Sequence, residues 1–383
     1  MTVAVILMYP RPQGLSGTVI ALVGIVLLVV GLLVGIRPTA PPVPTVVFVM
    51  CALASAVVNA AGRESSGLAE IAAMLIPLGM AGSIVTVLSF ERFIQLADRA
   101  LKAVVCLSLV VAFLIPSIGV TQRDVNAGAI RGIYEHRNGF AYVIALALVT
   151  HLAACAIRGG YRSSLWWVPI FGFGMLGASS VSALALVAVS VALYLWVRLL
   201  RGLSPEVRSM VTLAASSAAL LIALAATLSW SRLLDAFDRE DTFLSRTEIW
   251  QGAVTAWRER PLLGFGWGNV LGADDSPAAV IAAFSGYDVR STHNGYLAVA
   301  LQLGVVGLVV ALGYLAGLVV LVLRRAASDP SGPAAWALQI VVILVLGDLV
   351  ETRAFVNIGW FLLAVIWLYV KGANRSCSSA SID

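Results

Sequence analysis

The sequence predicts an all-α fold, a polytopic transmembrane helical bundle of about eleven spans within bounds of roughly ten to twelve, with one long external loop. Three observations carry this expectation: the composition, the succession of apolar runs and the distribution of charge. The 383 residues are 60% hydrophobic and 12% charged, whereas a soluble domain is about 45–50% apolar and about 25% charged. So few polar residues do not cover a folded surface in water, but they suffice for loops between elements whose flanks face hydrocarbon. Repeated ten-residue segments of alternating polarity, the mark of a membrane β-barrel, are absent from the sequence, which leaves helices as the spanning elements.

The elements follow in order. The stretch Val3 to Tyr9 is too short to span and is cut by Pro10, Arg11 and Pro12, so no cleavable signal is expected and the first span acts as the targeting segment. Apolar runs at 17–35, 43–61, 68–89, 101–119, 139–157, 210–229, 296–323, 335–350 and 355–371 approach the roughly 20 residues a crossing needs. The region 165–195 is interrupted by Ser179-Ser180-Val181-Ser182 and reads as two tight crossings that turn near Ser180. Gly24, Gly31 and Gly35 recur at intervals that permit close helix approach. Cys51, Cys106 and Cys155 fall in apolar runs and Cys377 in a polar tail, with no disulfide or metal-knuckle spacing.

A net charge of +5 does not point to nucleic acid, because the basic residues are scattered over short connections instead of forming a stripe. In an eleven-span arrangement, 13 of them (Arg37, Arg92, Arg99, Lys102, Arg158, Arg162, Arg198, Arg201, Arg208, Arg324, Arg325, Lys371 and Arg375) share one side. That side is expected to be cytoplasmic. The N-terminus and the segment Ser231 to Thr292 then face out, and the C-terminus lies in the cytoplasm. One membrane domain results, divided into N-terminal spans (1–230), an external catalytic loop (231–292) and C-terminal spans with a tail (293–383).

The external segment differs in kind from the rest, holding nine of the chain's 20 acids together with Arg232, Arg239, Arg246, Arg258, Arg260 and Arg290. Phe243 to Trp257 has apolar positions at helical spacing and suits an amphipathic helix across the mouth of the bundle. Next, Pro261-Leu-Leu-Gly-Phe-Gly-Trp-Gly-Asn269 alternates Gly264, Gly266 and Gly268 with bulky residues. It lacks the spacing of a dinucleotide fingerprint, and its glycines permit close backbone approach to a ligand. Of three histidines, His151 lies inside a span and His136 at an external boundary, while His293-Asn294 stands where the long loop re-enters the membrane. An imidazole at that boundary can accept a proton from a hydroxyl group.

The string His293-Asn294, then Gly304 and Gly307, resembles the signature of the O-antigen ligase and O-antigen polymerase superfamily. Arg246-Thr-Glu-Ile-Trp250 leading into Pro261 and the glycine cluster is similar to it too, as is Arg131-Gly132 followed by Arg137-Asn138. The resemblance covers residues 65–370, with 240–310 supplying nearly all its specificity. Where many relatives carry an arginine after a serine in mid-chain, this sequence has Ser180-Val181-Ser182.

The resemblance implies transfer of a glycan from a polyprenyl-diphosphate carrier to an acceptor hydroxyl on the outer face of the cytoplasmic membrane. The acceptor would be an envelope glycan, lipid or protein. By that analogy Arg131 and Arg246 hold the diphosphate and His293 takes the acceptor proton. The analogy implies no cofactor and no metal, and direct displacement would invert the anomeric carbon. Asn138 and Asn294 would orient sugar hydroxyls or the histidine, or cap helices. Trp250 would stack on a sugar or anchor the external helix. Arg290 is added for its closeness to His293, and Gly264, Gly266, Gly304 and Gly307 would shape the site. Ligase and polymerase share these motifs, so both stay open. A transporter is the alternative of another class, but it calls for ionisable groups at mid-membrane and matched halves, whereas the polar residues here gather at one face.

Overall fold

The computed structural model describes residues 17–59, 66–122, 126–160, 165–204, 206–207, 210, 240–268, 270–271, 277–328 and 332–379. The described chain is all-helical: α1 (Gly17–Leu33), α2 (Val43–Val58), α3 (Ser66–Val87), α4 (Phe90–Leu114), α5 (Arg137–Ile157), α6 (Trp167–Ala178), α7 (Val181–Arg201), α8 (Glu240–Trp257), α9 (Pro277–Ser285), α10 (Gly295–Ser328), α11 (Pro333–Gly347) and α12 (Asn357–Ser379). Large apolar side chains stand exposed along α7 (Leu184, Val189, Leu195, Leu199) and α10 (Val309, Leu312, Val320). An apolar surface of this extent is costly in water and natural in a bilayer. The chain is a polytopic helical membrane protein. The run 210–229, counted as a span from the sequence, lies outside the described residues apart from Met210.

Two expected spans differ from the sequence reading. The turn near Ser180 is present, with Ser179 in the left-handed region (φ 51°) between α6 and α7. But α6 has 12 residues, about 18 Å of helix, short of the roughly 30 Å hydrocarbon core. The pair is therefore a half-length helix followed by a full one. The run 296–323 is not one continuous helix either, because Gly304 interrupts α10 with φ 65° and ψ −165°.

The glycine-rich turn after α8 explains this break. Phe265 N–H donates to Leu301 O (2.8 Å) and Gly266 N–H to Gln302 O (2.9 Å), which satisfies carbonyls at the end of the first half of α10. In return Val305 N–H donates to Pro261 O (2.8 Å) and Val306 N–H to Leu262 O (3.3 Å), which satisfies donors at the start of the second half. The turn thus supplies partners for two carbonyls and two N–H groups that the break removes from the helix ladder. From α2, the Ser55 hydroxyl is shared between Leu263 O (2.8 Å) and Gln302 O (3.0 Å) and ties both to the bundle. The turn's glycines thus approach α10 itself, not a ligand: a Cβ on Gly264 would stand 2.5 Å from the Gln302 carbonyl carbon, and one on Gly304 would overlap Leu262.

Above the break the layer formed by α8 and α9 has its own small core. Ile249, Ala253 and Ala256 on one face of α8 pack with Ile281 of α9, Phe265, Val270, Val289 and Leu301. The apolar face of α8 is thereby spent on protein, and Gly252 lets the two helices touch, since a Cβ there would be 2.8 Å from Ile281 Cα. At the other end of the bundle, buried Asp98 of α4 lies 3.0 Å from His151 Nδ1, 2.9 Å from Lys102 Nζ and 3.2 Å from Arg158. His151 is thus part of an ionic tie between α4 and α5, and Gly24 receives the Ile76 side chain of α3.

Only glycine reaches the Gly304 dihedrals without strain. Gly304→Ala should therefore lose roughly 2–4 kcal/mol of stability. Gly313→Ala, with no heavy atom within 4 Å of the added Cβ, should change it by less than about 0.5 kcal/mol. Thermal unfolding of both variants in one detergent checks this, and equal transitions would refute the exchange as the reason for the break.

Candidate functional site

The break places the start of α10 against the connection between α11 and α12. Asp348 caps the end of α11 and is fully buried. Its Oδ1 accepts from Arg353 N–H (2.6 Å) and Ala354 N–H (2.9 Å), which folds the connection into a tight turn. Its backbone carbonyl accepts from Gly295 N–H (2.7 Å). Burial pushes the Asp348 carboxyl up to about 6, against the opposing pull of those two N–H groups and the Arg353 charge. Gly295 is required at this contact, since a Cβ would overlap the carboxylate.

Three residues further on, Glu351 gathers four elements. Its Oε1 accepts from Asn138 Nδ2 of α5 (2.9 Å) and Arg246 Nη2 of α8 (3.4 Å), and lies 3.3 Å from His293 Nδ1. Its Oε2 lies 3.8 Å from Arg353 Nη2. Burial raises the carboxyl's proton affinity, but the His293 hydrogen bond and the charges of Arg353, His293 and Arg246 outweigh it and hold the group at about 2. Glu351 is therefore an anion at neutral pH. Two guanidinium groups around one carboxylate leave a net positive charge facing outward.

His293 sits at φ 48°, a left-handed conformation that costs a side-chain-bearing residue on the order of 1–3 kcal/mol. Its neighbours impose it. Ser291 Oγ accepts from His293 N–H (3.2 Å), Thr292 Oγ1 donates to Asn294 O (2.8 Å), and Trp250 Nε1 donates to Thr292 O (3.0 Å). With Nδ1–H donated to Glu351, Nε2 is the ring nitrogen left for an incoming molecule. The His293 side chain is 36% exposed, against 15% for Glu351 and 17% for Arg246, so it is the member of the cluster most open to an incoming molecule.

The structure thus brings His293, Arg246 and Asn138 together on one carboxylate. Trp250 braces the His293 loop. Asn294 caps α10, its Oδ1 accepting from Leu297 N–H (3.0 Å). Arg131 stands apart: it donates to the carbonyls of Ile118 (2.9 Å), Ser117 (3.3 Å) and Glu135 (3.4 Å), and among the described residues no hydrogen bond or ion pair joins it to Glu351. Arg290 is exposed. Gly264, Gly266 and Gly304 build the exchange described above, and Gly307 lies beneath the Leu303 side chain. A crevice of about 20 Å³ under Glu351 is lined by Asn138, Tyr142, Ser180, Ser182, Leu186 and Arg353 among others. It holds about one water, so a larger ligand belongs on the outer side, by His293 and Arg246. The sequence reading missed Asp348, Glu351 and Arg353 as members of the site. The available signal was the density of charge in Asp348-Leu-Val-Glu-Thr-Arg353 between two apolar runs.

A protein-family model described as O-antigen ligase matches residues 167–312. The matched stretch contains Arg246, Trp250, the glycine-rich turn, His293, Asn294, Gly304 and Gly307, and stops short of the Glu351 turn. The chain is also 26% identical over 242 residues to the exopolysaccharide production protein ExoQ of Rhizobium meliloti (strain 1021), over 59% of this chain and 53% of that protein. The chain spans about half the length of this relative. Both findings support the O-antigen ligase and O-antigen polymerase superfamily.

Proposed function

We propose that this chain transfers a glycan from a polyprenyl-diphosphate carrier to an acceptor hydroxyl, as an O-antigen ligase-like or repeat-unit-polymerase-like enzyme of the cell envelope. The observation that carries the reading is the His293–Glu351 pair, whose carboxylate also holds the Arg246 and Arg353 guanidinium groups. In the reaction the acceptor oxygen attacks the anomeric carbon from the face opposite the diphosphate. His293 Nε2 takes the hydroxyl proton, and the bond to the diphosphate oxygen breaks with its electron pair. The product is inverted at that carbon. Glu351 supports the imidazolium that forms, in the way a carboxylate orients and stabilises a catalytic histidine. Arg246 and Arg353 supply the positive field that receives the charge developing on the departing diphosphate.

Arg131 remains in the proposal as a donor-binding group. In this conformation its guanidinium is committed to loop carbonyls, and Arg353 occupies the second cationic place. The starts of α5, α7 and α10 meet near the cluster, adding the partial positive charge of helix N-termini. No residue of the proposed step requires a metal. The cluster is assigned to the external face, because the basic connections gather at the opposite end, where α10 finishes in Arg324-Arg325.

Single-turnover transfer from a defined polyprenyl-diphosphate glycan, in nanodiscs at saturating acceptor, should fall roughly 100-fold or more in His293→Ala with donor binding largely kept. Arg246→Ala should weaken donor capture, and Arg246→Lys should give an intermediate defect because lysine loses the fork geometry. Wild-type transfer by His293→Ala would end the general-base assignment. For sidedness, a chain without its native cysteines should take up an impermeant thiol reagent in intact cells or spheroplasts at Asp288→Cys and not at Gly160→Cys. The reverse pattern would put the cluster in the cytoplasm and refute an external reaction.

A further inference from the structure

The basic end of the bundle contains a cavity that the transfer reaction does not use. It has a volume of about 550 Å³ and lies where the end of α10, the middle of α12 and the start of α2 meet. Three cations line it, Arg324, Arg325 and Lys371, together with the Trp367 ring, Gly317 and Pro44. No carboxylate lines it among the described residues. Arg324 and Lys371 are exposed, while Trp367 is 8% exposed and packs on Gly317, where an added Cβ would be 3.2 Å from the indole.

The depth of this cavity follows from helix geometry. From Gly304 to Arg324, 20 residues of helix rise about 30 Å, one hydrocarbon thickness. Arg324 therefore stands at the boundary opposite the Glu351 cluster. From Arg324 back to Gly317 is seven residues, so the cavity reaches about 10 Å into the acyl region. Its mouth is cationic at head-group level, its floor is apolar (Gly317, Val320, Leu321), and the Trp367 indole packed on Gly317 closes one side of that floor.

We propose that this cavity is a binding site for one anionic glycerophospholipid, with the phosphodiester between Arg324, Arg325 and Lys371 and the upper acyl chain on the floor. A free phosphate would match the cationic mouth but leave the floor without a partner. A zwitterionic lipid would fill the floor but bring a cationic group among three others. Charge complementarity and the apolar depth together select a lipid that has both features. The bound lipid would clamp the end of α10 against the middle of α12, far from the transfer site, and the inference does not depend on the transfer reading.

The test uses the full-length purified protein and native mass spectrometry, with phosphatidylglycerol, phosphatidylcholine or inorganic phosphate as probes. Wild type should retain phosphatidylglycerol in preference to phosphatidylcholine by roughly ten-fold or more, in line with the attraction of anionic head groups to basic side chains. Arg324→Gln/Lys371→Gln, which alters two exposed side chains, should lose that preference. Val320→Trp, which fills the floor without changing charge, should reduce retention of phosphatidylglycerol, and millimolar inorganic phosphate should not displace the lipid. Circular dichroism of each variant should match wild type. Equal retention of the two lipids by wild type, unchanged preference in Arg324→Gln/Lys371→Gln, unchanged retention in Val320→Trp, or displacement by phosphate would each overturn the proposal.

Discussion

A largely enclosed carboxylate has to be paired, and in this protein the pairing of Glu351 organises the end of the bundle where α10 begins. Alone in a poorly solvated position the group would take up a proton. With Asn138, Arg246, His293 and Arg353 around it, it stays an anion. The partners come from distant parts of the sequence, so one side chain fixes α5, α8, the approach to α10 and the turn after α11 relative to one another. Removing any partner would leave a buried charge less compensated, which is a strong constraint on the arrangement. The same constraint sets which nitrogen of His293 faces the carboxylate and which faces outward.

The second constraint is that peptide groups be satisfied where a membrane helix is interrupted. A break in α10 near the bilayer boundary would expose carbonyls from one half and N–H groups from the other. The turn 261–266 supplies partners for both sets, and Ser55 secures the junction from α2. The consequence is positional: the first half of α10 joins the layer of α8 and α9, and His293, just before it, is carried to the Glu351 turn. The glycine-rich stretch thus acts on the site through backbone geometry, without touching the cluster itself.

Much of this was legible in the sequence, for identifiable reasons. Apolar runs of near-crossing length declared the spans because lipid leaves helices as the available solution for this pattern. The helical spacing of Ile249, Ala253 and Ala256 placed α8 correctly, and that face packs on α9, Phe265 and Leu301. His293 and Arg246 stood out because polar residues are few. The break at Gly304 was not legible, since glycine is common within membrane helices and only the approach of residues 261–266 distinguishes this one. Glu351 escaped for a similar reason: its role comes from partners 58, 105 and 213 positions away, and no local pattern announces them. The half-length α6 was concealed by apolar residues on both sides of Ser179 and Ser180, which filled the hydropathy of two crossings.

The central claim is that Glu351 acts through His293, and a double-mutant cycle on the rate of transfer tests it most directly. The rate at saturating donor and acceptor would be measured for the wild type, Glu351→Gln, His293→Ala and the double variant. The account predicts that Glu351→Gln slows transfer roughly ten-fold or more in the wild-type background and has little further effect once His293 is alanine, as for residues that act as a unit. A Glu351→Gln effect of equal size in both backgrounds would contradict it, because the carboxylate would then act independently of the histidine.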